Sequence, residues 1–375
     1  MLGIGVMTGT SLDGVDLCLI DITDDFSKTS LLEFDSYPYS EDLIAAIRAT
    51  LRDPIVSLEA LTILDFQIGE ELGAAINRFV EEKKILKSDV AYAAIHGQTM
   101  WHNSKANGVM PSTMQIGSPS IVAQRTGLKI VSNFREKDIA CGGEGAPLVP
   151  ATEYLLYRNE QKNQVFVNIG GICNLTYLPK SGQKDQVRAF DTGPGNMMIN
   201  QAVSQFYSQP YDDGGSIAAS GKVIDELFNE MCAHPYLTQL IPKSTGREQF
   251  GDAYTETLIQ KFADQREEDV VCTFTHFSAY AFVEGLKHLE PIDTIYIAGG
   301  GVHNKTLLNC IQTYLDQAGI PASLHSFAEL SNPDAKEAIA FAVLGYLRLW
   351  EMPGNLPSAT GARKETILGS VTLPA

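Results

Sequence analysis

The chain has 375 residues, with 28 Lys+Arg against 45 Asp+Glu and a formal net charge of −17. That length accommodates two domains of about 100–200 residues each, and a composition of 44% apolar and 19% charged residues excludes a disordered chain. The acidic balance argues against sequence-independent nucleic-acid binding, because it repels phosphodiester backbones, and no apolar run approaches the ~20 residues of a membrane helix.

The first 22 residues read as a β-hairpin: Gly3–Met7, a turn over Thr8–Gly14, and Val15–Ile22. Two amphipathic helices follow. Ser40 can cap the first (Leu43, Ile44, Ile47, Leu51), and the second repeats Leu61, Leu64, Ile68, Leu72, Ile76 and Phe79 at helical spacing. Val90–Ile95 is a strand ending at His96-Gly97-Gln98. A second strand–glycine turn–strand unit spans Val165–Leu178 around Gly170-Gly171, repeating the logic of the first hairpin. A third strand, Ile292–Ala298, runs into Gly299-Gly300-Gly301 and a helix (Leu307, Leu308, Ile311, Leu315), and an apolar helix closes the chain at Ala335–Trp350. Two glycine-tipped hairpins and a strand–triglycine–helix point to a duplicated α/β architecture. The six cysteines are scattered without a C-x-x-C, which suggests neither a zinc site nor a disulfide framework and suits a reducing cytoplasm. The N-terminus has no basic leader region, so no signal peptide is expected.

Several turns hold chemistry-bearing residues. In Gly9-Thr10-Ser11-Leu12-Asp13-Gly14-Val15-Asp16, backbone N–H groups and hydroxyls can cradle phosphate oxygens. The spacing imitates a P-loop, but Val15-Asp16 stands where Lys-Ser/Thr belongs. A triphosphate here would need Mg²⁺ for its charge, with Asp13 or Asp16 as a direct or water-mediated partner. The alternative is a plain polar hairpin turn. Asp191, in Phe190-Asp191-Thr192-Gly193-Pro194-Gly195-Asn196, sits at a strand end before a helical run. Read as exposed and ionised, it is a suitable general base; it could instead cap that helix. His96 and Gln98 offer hydrogen bonds to a polar ligand, with Trp101 as a stacking face, or are structural. Arg135 and Arg247 lie in glycine-rich surroundings and could each fork onto a carboxylate or phosphate, or form structural ion pairs.

Taken in order, Met7–Asp16, His96–His102, Gly143–Pro150, Asn168–Gly171, Phe190–Asn196, Lys243–Phe250, Gly299–Asn304, Asp334–Gly345 and Asn355–Ala362 make the chain resemble the 1,6-anhydro-N-acetylmuramic acid kinases of the sugar kinase/Hsp70/actin superfamily. Thr8, Glu144, Cys173 and Asn200 stand where the family more often has Ser, Gln, Ala and Asp.

The resemblance implies two duplicated ribonuclease-H-like (actin-like ATPase) domains flanking a cleft, the first from residues 1–134 and 350–375, the second from 135–349. It makes Gly9–Asp16 the first phosphate loop, Gly170, Gly171 and Asn174 part of the second, and Gly299, Gly300 and Gly301 a nucleotide-binding wall. His96, Gln98, Arg135, Gly193 and Glu337 become sugar-binding residues and Asp191 the base. ATP and Mg²⁺ are the implied cofactors, 1,6-anhydro-N-acetylmuramic acid the substrate, and a cytoplasmic homodimer the implied form. The implied reaction couples opening of the anhydro bridge by water to phosphorylation of O6. A kinase of an already open amino sugar, or a non-catalytic ATP-binding switch, is the alternative.

Overall fold

The computed structural model describes residues 1–9, 12, 14–53, 55–103, 108–289 and 291–375. The N-terminal hairpin forms as expected, with β1 (Leu2–Thr8) antiparallel to β2 (Val15–Asp21), and β2 continues into β3 (Ser30–Tyr37). On the other side of β1 lie β4 (Val90–Ile95), parallel to it, and, beyond the separate hairpin of β5 (Gln98–Asn103) and β6 (Ser112–Ile116), the short parallel β7 (Ile130–Ser132). The sheet order is therefore β3-β2-β1-β4-β7, with Ser370–Thr372 added antiparallel at the β7 edge.

Alternation along the strands explains why both faces are covered. Leu17 and Leu19 join Ile4, Val6 and Ile95 in a core with the helices Glu41–Arg52 and Leu58–Glu82. Ser40 Oγ caps the first by accepting from Leu43 N (3.3 Å) and Ser57 Oγ the second by accepting from Ala60 N (3.1 Å). Cys18 and Ile20 point the other way, with Tyr92, Ala94 and Val131, onto the helix Lys336–Leu349. That helix approaches so closely that a Cβ on Gly5 would fall 1.9 Å from the Ala338 carbonyl oxygen, and Tyr92 Oη donates to Ala342 O at 2.5 Å.

This packing moves the domain boundary. The chain divides into one unit of Met1–Tyr157 with Asp334–Ala375 and a second of Arg158–Pro333, rather than at 134/135 and 349/350. The stretches 135–157 and 334–349 belong with the first sheet because Leu148, Leu155 and Leu156 share the core of the closing helix. Glu153, on the helix Val149–Tyr157, also pairs with Lys336 at 2.6 Å.

The second unit repeats the order. β8 (Gln164–Ile169), β9 (Ile172–Leu178) and β10 (Arg188–Pro194) form an antiparallel meander, and β11 (Thr294–Ala298) and β12 (Ser323–Ser326) add in parallel beside β8, giving β10-β9-β8-β11-β12. Both units thus have the ribonuclease-H-like order 3-2-1-4-5, as the duplicated α/β reading expects. The helices Glu267–Leu286 and Lys305–Ala318 pack on this sheet through Phe282, Leu286, Leu307 and Ile311. The first of these is apolar on nearly all sides, as a buried helix should be, and so shows little helical periodicity in the sequence. Among the described residues no helix is long and apolar enough to cross a membrane.

Candidate active site

The second unit brings several expected residues together at one end of its sheet. Asp191 on β10 lies opposite Asn174 on β9, Asn174 opposite Asn168 on β8, and Asn168 beside Ala298 at the end of β11. Residues in such register share a face, so Asp191, Asn174 and Asn168 line up on the side away from Phe190, Leu175 and the apolar core. A shift in register between Asp191 and Gly193 marks a bulge, with Gly193 at φ +150°. Bulges of this kind re-aim a side chain at a strand end.

The glycine segments pack against one another next to that row. Asn196 N donates to Gly170 O and Gly195 N to Gly171 O (both 2.8 Å), while Asn196 Nδ2 donates to Ile169 O at 3.0 Å. Ser278 Oγ, from the helix Glu267–Leu286, holds Gly195 O at 2.7 Å. Gly301 lies against Ile169, and Gly299 against Asn168. Gly171, Asn174 and Gly300 are exposed at this end, leaving their backbone accessible to a ligand.

Asp191 differs from the expectation of an exposed carboxylate. It is half-buried, and loss of solvation raises its pKa above the ordinary carboxylate value despite hydrogen bonds from Thr245 N and Ser244 Oγ; Glu248 adds to the rise. Nor does it cap the following helix, Met197–Tyr207, whose N-cap position is Asn196. Both of its side-chain hydrogen bonds go to Oδ2, from Thr245 N at 2.9 Å and Ser244 Oγ at 3.0 Å. Oδ1 accepts none among the described residues. Thr245 Oγ1, beside it, is buried without a partner among the described residues, a group that a bound ligand would satisfy.

In the first unit the loop after β1 is described at Gly9, Leu12 and Gly14; Thr10, Ser11 and Asp13 lie outside the described residues. Leu12 (φ 64°) and Val15 are buried in the core, so only their backbone can meet a ligand. Asp16 pairs with Met7 across the β1–β2 ladder. Gln98 is fully buried; its Nε2 donates to Gly9 O at 3.3 Å, and its Oε1 has no partner among the described residues. His96 is also buried, packed on Phe341, and its Nε2 accepts from Arg135 Nε at 3.0 Å. Burial and the adjacent guanidinium push the His96 imidazole down to about 3, so it is neutral and an acceptor at Nε2.

Arg135 also donates through Nη1 to Gly145 O at 2.9 Å, which leaves two of its five N–H groups for a ligand. Its own pKa is lowered to about 10 by burial, with Glu337 and Asp138 opposing the shift. Glu337 is exposed on the first turn of the closing helix, yet desolvation raises its carboxyl, with Lys336 and Arg135 lowering it and Asp16 raising it. Thus His96, Gln98, Arg135, Asp16 and Glu337 belong to one neighbourhood of the first unit. No group of three or more potential metal ligands occurs among the described residues.

Four residues that hold these groups in place are not singled out by the sequence: Asp138, Tyr236, Ser244 and Thr245. Asp138 is fully buried and collects Asn355 Nδ2 (2.6 Å), Thr360 Oγ1 (2.7 Å) and Gly145 N (2.8 Å), so it sets the loop whose carbonyl holds Arg135. Tyr236 Oη donates to Asp191 O at 2.6 Å. Within Lys243–Glu248 the sequence drew attention to Arg247, which is exposed, whereas Ser244 and Thr245 make the contacts. Two family motifs, Gly143–Pro150 and Asn355–Ala362, flank Asp138 in the fold and are the signals that could find it; none marks Tyr236.

A family model described as anhydro-N-acetylmuramic acid kinase matches residues 1–374. The anhydro-N-acetylmuramic acid kinase of Francisella tularensis subsp. novicida (strain U112) is 41% identical over 376 residues, covering 98% of this chain and 97% of the relative. That of Bacillus thuringiensis subsp. konkukian (strain 97-27) is 38% identical over 378 residues, covering 99% of each. Among solved structures, a ROK family glucokinase from Streptomyces griseus in complex with glucose and AMPPNP aligns with a TM-score of 0.39 at 11% identity, covering 92% of this chain and 99% of the other.

Proposed function

The chain belongs to the anhydro-N-acetylmuramic acid kinase family and is an ATP-using sugar kinase, and we propose that it opens the 1,6-anhydro bridge of its sugar with water while transferring the γ-phosphoryl group of ATP to O6. The observation that carries this reading is Asp191: a half-buried carboxylate, anchored through Oδ2, with Oδ1 unbonded among the described residues, beside glycine segments with accessible backbone.

Asp191 takes a proton from a water molecule as that water attacks C1. The C1–O6 bond breaks, O6 forms its bond to the γ-phosphorus, and the bond from that phosphorus to the ADP oxygen breaks. A carboxylate with a raised pKa is a stronger base than an ordinary one, which suits this step. Ordinary inverting glycosidases need a second carboxylic acid to protonate the leaving oxygen. Here phosphorus captures that oxygen, so a single carboxylate suffices.

In the second unit the amides of Gly170, Gly171 and Gly300 are the groups for phosphate oxygens, and family membership supports the same role for Gly9–Asp16 in the first. Arg135, held by His96 and Gly145, offers its two remaining N–H groups to the lactyl carboxylate of the sugar. Gln98 fixes Gly9, and Gly193 sets the bulge beside Asp191. Mg²⁺ is bound by one or two carboxylates together with phosphate oxygens and water, and Asp16 and Glu337, close enough to influence one another, suit that donor set. When bound, the ion neutralises phosphate charge. Family membership also supports the reading of a cytoplasmic homodimer that returns cell-wall amino sugar to metabolism.

Mass spectrometry of reactions containing ATP, Mg²⁺ and either the anhydro sugar or open N-acetylmuramic acid tests the proposal. The anhydro sugar alone should gain one phosphate and one water. Equal phosphorylation of the open sugar would make this an ordinary sugar kinase.

A further inference from the structure

Asp191 is gripped by one short stretch of chain at every polar group but Oδ1. Its N donates to Lys243 O at 3.0 Å, its O accepts from Tyr236 Oη at 2.6 Å, and its Oδ2 accepts from Ser244 Oγ and Thr245 N. We infer that Tyr236, Lys243 and Ser244 form a bracket whose job is to position Asp191, fixing Oδ2 and presenting Oδ1 as the atom that takes the proton. The inference rests on Asp191 being the base.

The bracket is itself held together from inside. Lys243 is buried, and among the described residues no carboxylate pairs with it. Its Nζ instead donates to Tyr236 O (2.9 Å) and Leu237 O (3.1 Å) and lies 4.5 Å from the centroid of the Tyr236 ring. A buried ammonium satisfied by carbonyls and a ring face is a costly way to tie two stretches of loop. Here it joins the stretch that holds the Asp191 carbonyl to the one that holds its amide and carboxylate. Tyr236 is fully buried against Phe250, so its hydroxyl has a fixed place from which to donate. A base held at four points loses little orientation when water binds, and orientation is a large part of such catalysis.

The titratable groups facing Asp191 are few. Cys173 lies on β9, Tyr236 on the turn Pro235–Thr238 and Glu248 on the turn Arg247–Phe250, while Lys243, in the segment between, turns its ammonium to the carbonyls of Tyr236 and Leu237. The helix Glu267–Leu286 meets β10 through Ala281 and Gly285, which carry no charge. Ser244 is thus the one exposed, non-titrating side chain that donates to the carboxylate.

Two variants test the bracket, with Asp191→Asn as the reference. Ser244→Ala removes a donor that favours the ionised carboxylate, so the acid limb of kcat/KM for the sugar should move up by about one pH unit. Tyr236→Phe should lower kcat at least about tenfold while the dissociation constant of an unhydrolysable ATP analogue stays within about twofold. Packing alone would not move the pH limb. Should Tyr236→Phe fail to fold, the surface variant Ser244→Ala still decides. An unshifted acid limb in Ser244→Ala, in a protein that Asp191→Asn inactivates, overturns the bracket. Near-normal turnover in Asp191→Asn overturns the base itself, a distinct result.

Discussion

Asp191 stands directly across the β9–β10 ladder from Asn174, the residue at the exposed end of the glycine-tipped hairpin. The proposed base and the proposed second phosphate segment are therefore neighbours on one sheet face, set by strand register. A one-residue slip of β10 would turn Asp191 into the apolar core, so the strand pattern that buries Phe190 also aims the carboxylate.

Asp191→Asn should lower kcat by about 10²–10⁴-fold, because an amide cannot accept the proton. Dissociation constants for nucleotide and sugar should stay within a few-fold, since the amide oxygen can still accept from Ser244 and Thr245. Single-turnover kinetics with calorimetric binding checks both halves.

The same carboxylate carries a pH signature. Its folded pKa lies above its value in the unfolded chain, so its ionised form is disfavoured by folding. Stability from this group is fully present below the unfolded pKa and is lost as pH rises through the raised folded pKa. Asp191→Asn should therefore melt at a higher temperature than the parent at neutral pH, and this gain should vanish in acid. Activity runs the opposite way, falling as acid protonates Asp191. Thermal melts beside a pH–rate profile check the two trends together.

Arg135→Ala should raise KM for the sugar by about 10–100-fold, the loss of one or two charge-assisted hydrogen bonds, and leave KM for ATP unchanged. Arg135→Lys should not restore it, because an ammonium cannot fork between His96, Gly145 and a carboxylate. His96, held down to about 3, should stay neutral from pH 5 to 9, with its proton on Nδ1. Long-range proton–nitrogen correlation spectra read the tautomer directly.

Glycines separate a folding role from a ligand role. A Cβ on Gly301 would sit 2.4 Å from Ile169 Cγ2, so Gly301→Ala should destabilise the protein by about 1–3 kcal/mol. A Cβ on Gly171 meets nothing nearer than 3.8 Å, and its φ is not positive. Gly171→Ala should thus melt normally yet raise KM for ATP, as steady-state kinetics and calorimetry can show.

Much of this arrangement was legible in the sequence where local rules suffice. The glycine-tipped hairpins, the Val90–Ile95 strand and the capped helices obey periodicity and turn chemistry, and they formed nearly to the residue. What stayed hidden depends on long-range packing. The helix Glu267–Leu286 is apolar on nearly all sides and so shows little periodicity, and the closing helix joins the first unit through contacts with Gly5 and Tyr92 over 300 and 200 residues away, about which neighbouring residues say nothing. The burial of Asp191 and the grip of Tyr236 on its carbonyl likewise come from segments about 45 residues on. A carboxylate's solvation is a property of the folded neighbourhood, not of its own strand.

The proposed reaction has solvent open the sugar while phosphate passes to the freed oxygen. It is tested most directly by running the reaction in ¹⁸O-labelled water and analysing the sugar phosphate by fragmentation mass spectrometry within minutes, before the anomeric oxygen exchanges. One heavy oxygen should appear at C1 and none in the phosphoryl group. Heavy oxygen in phosphate, with an unlabelled sugar, would contradict it.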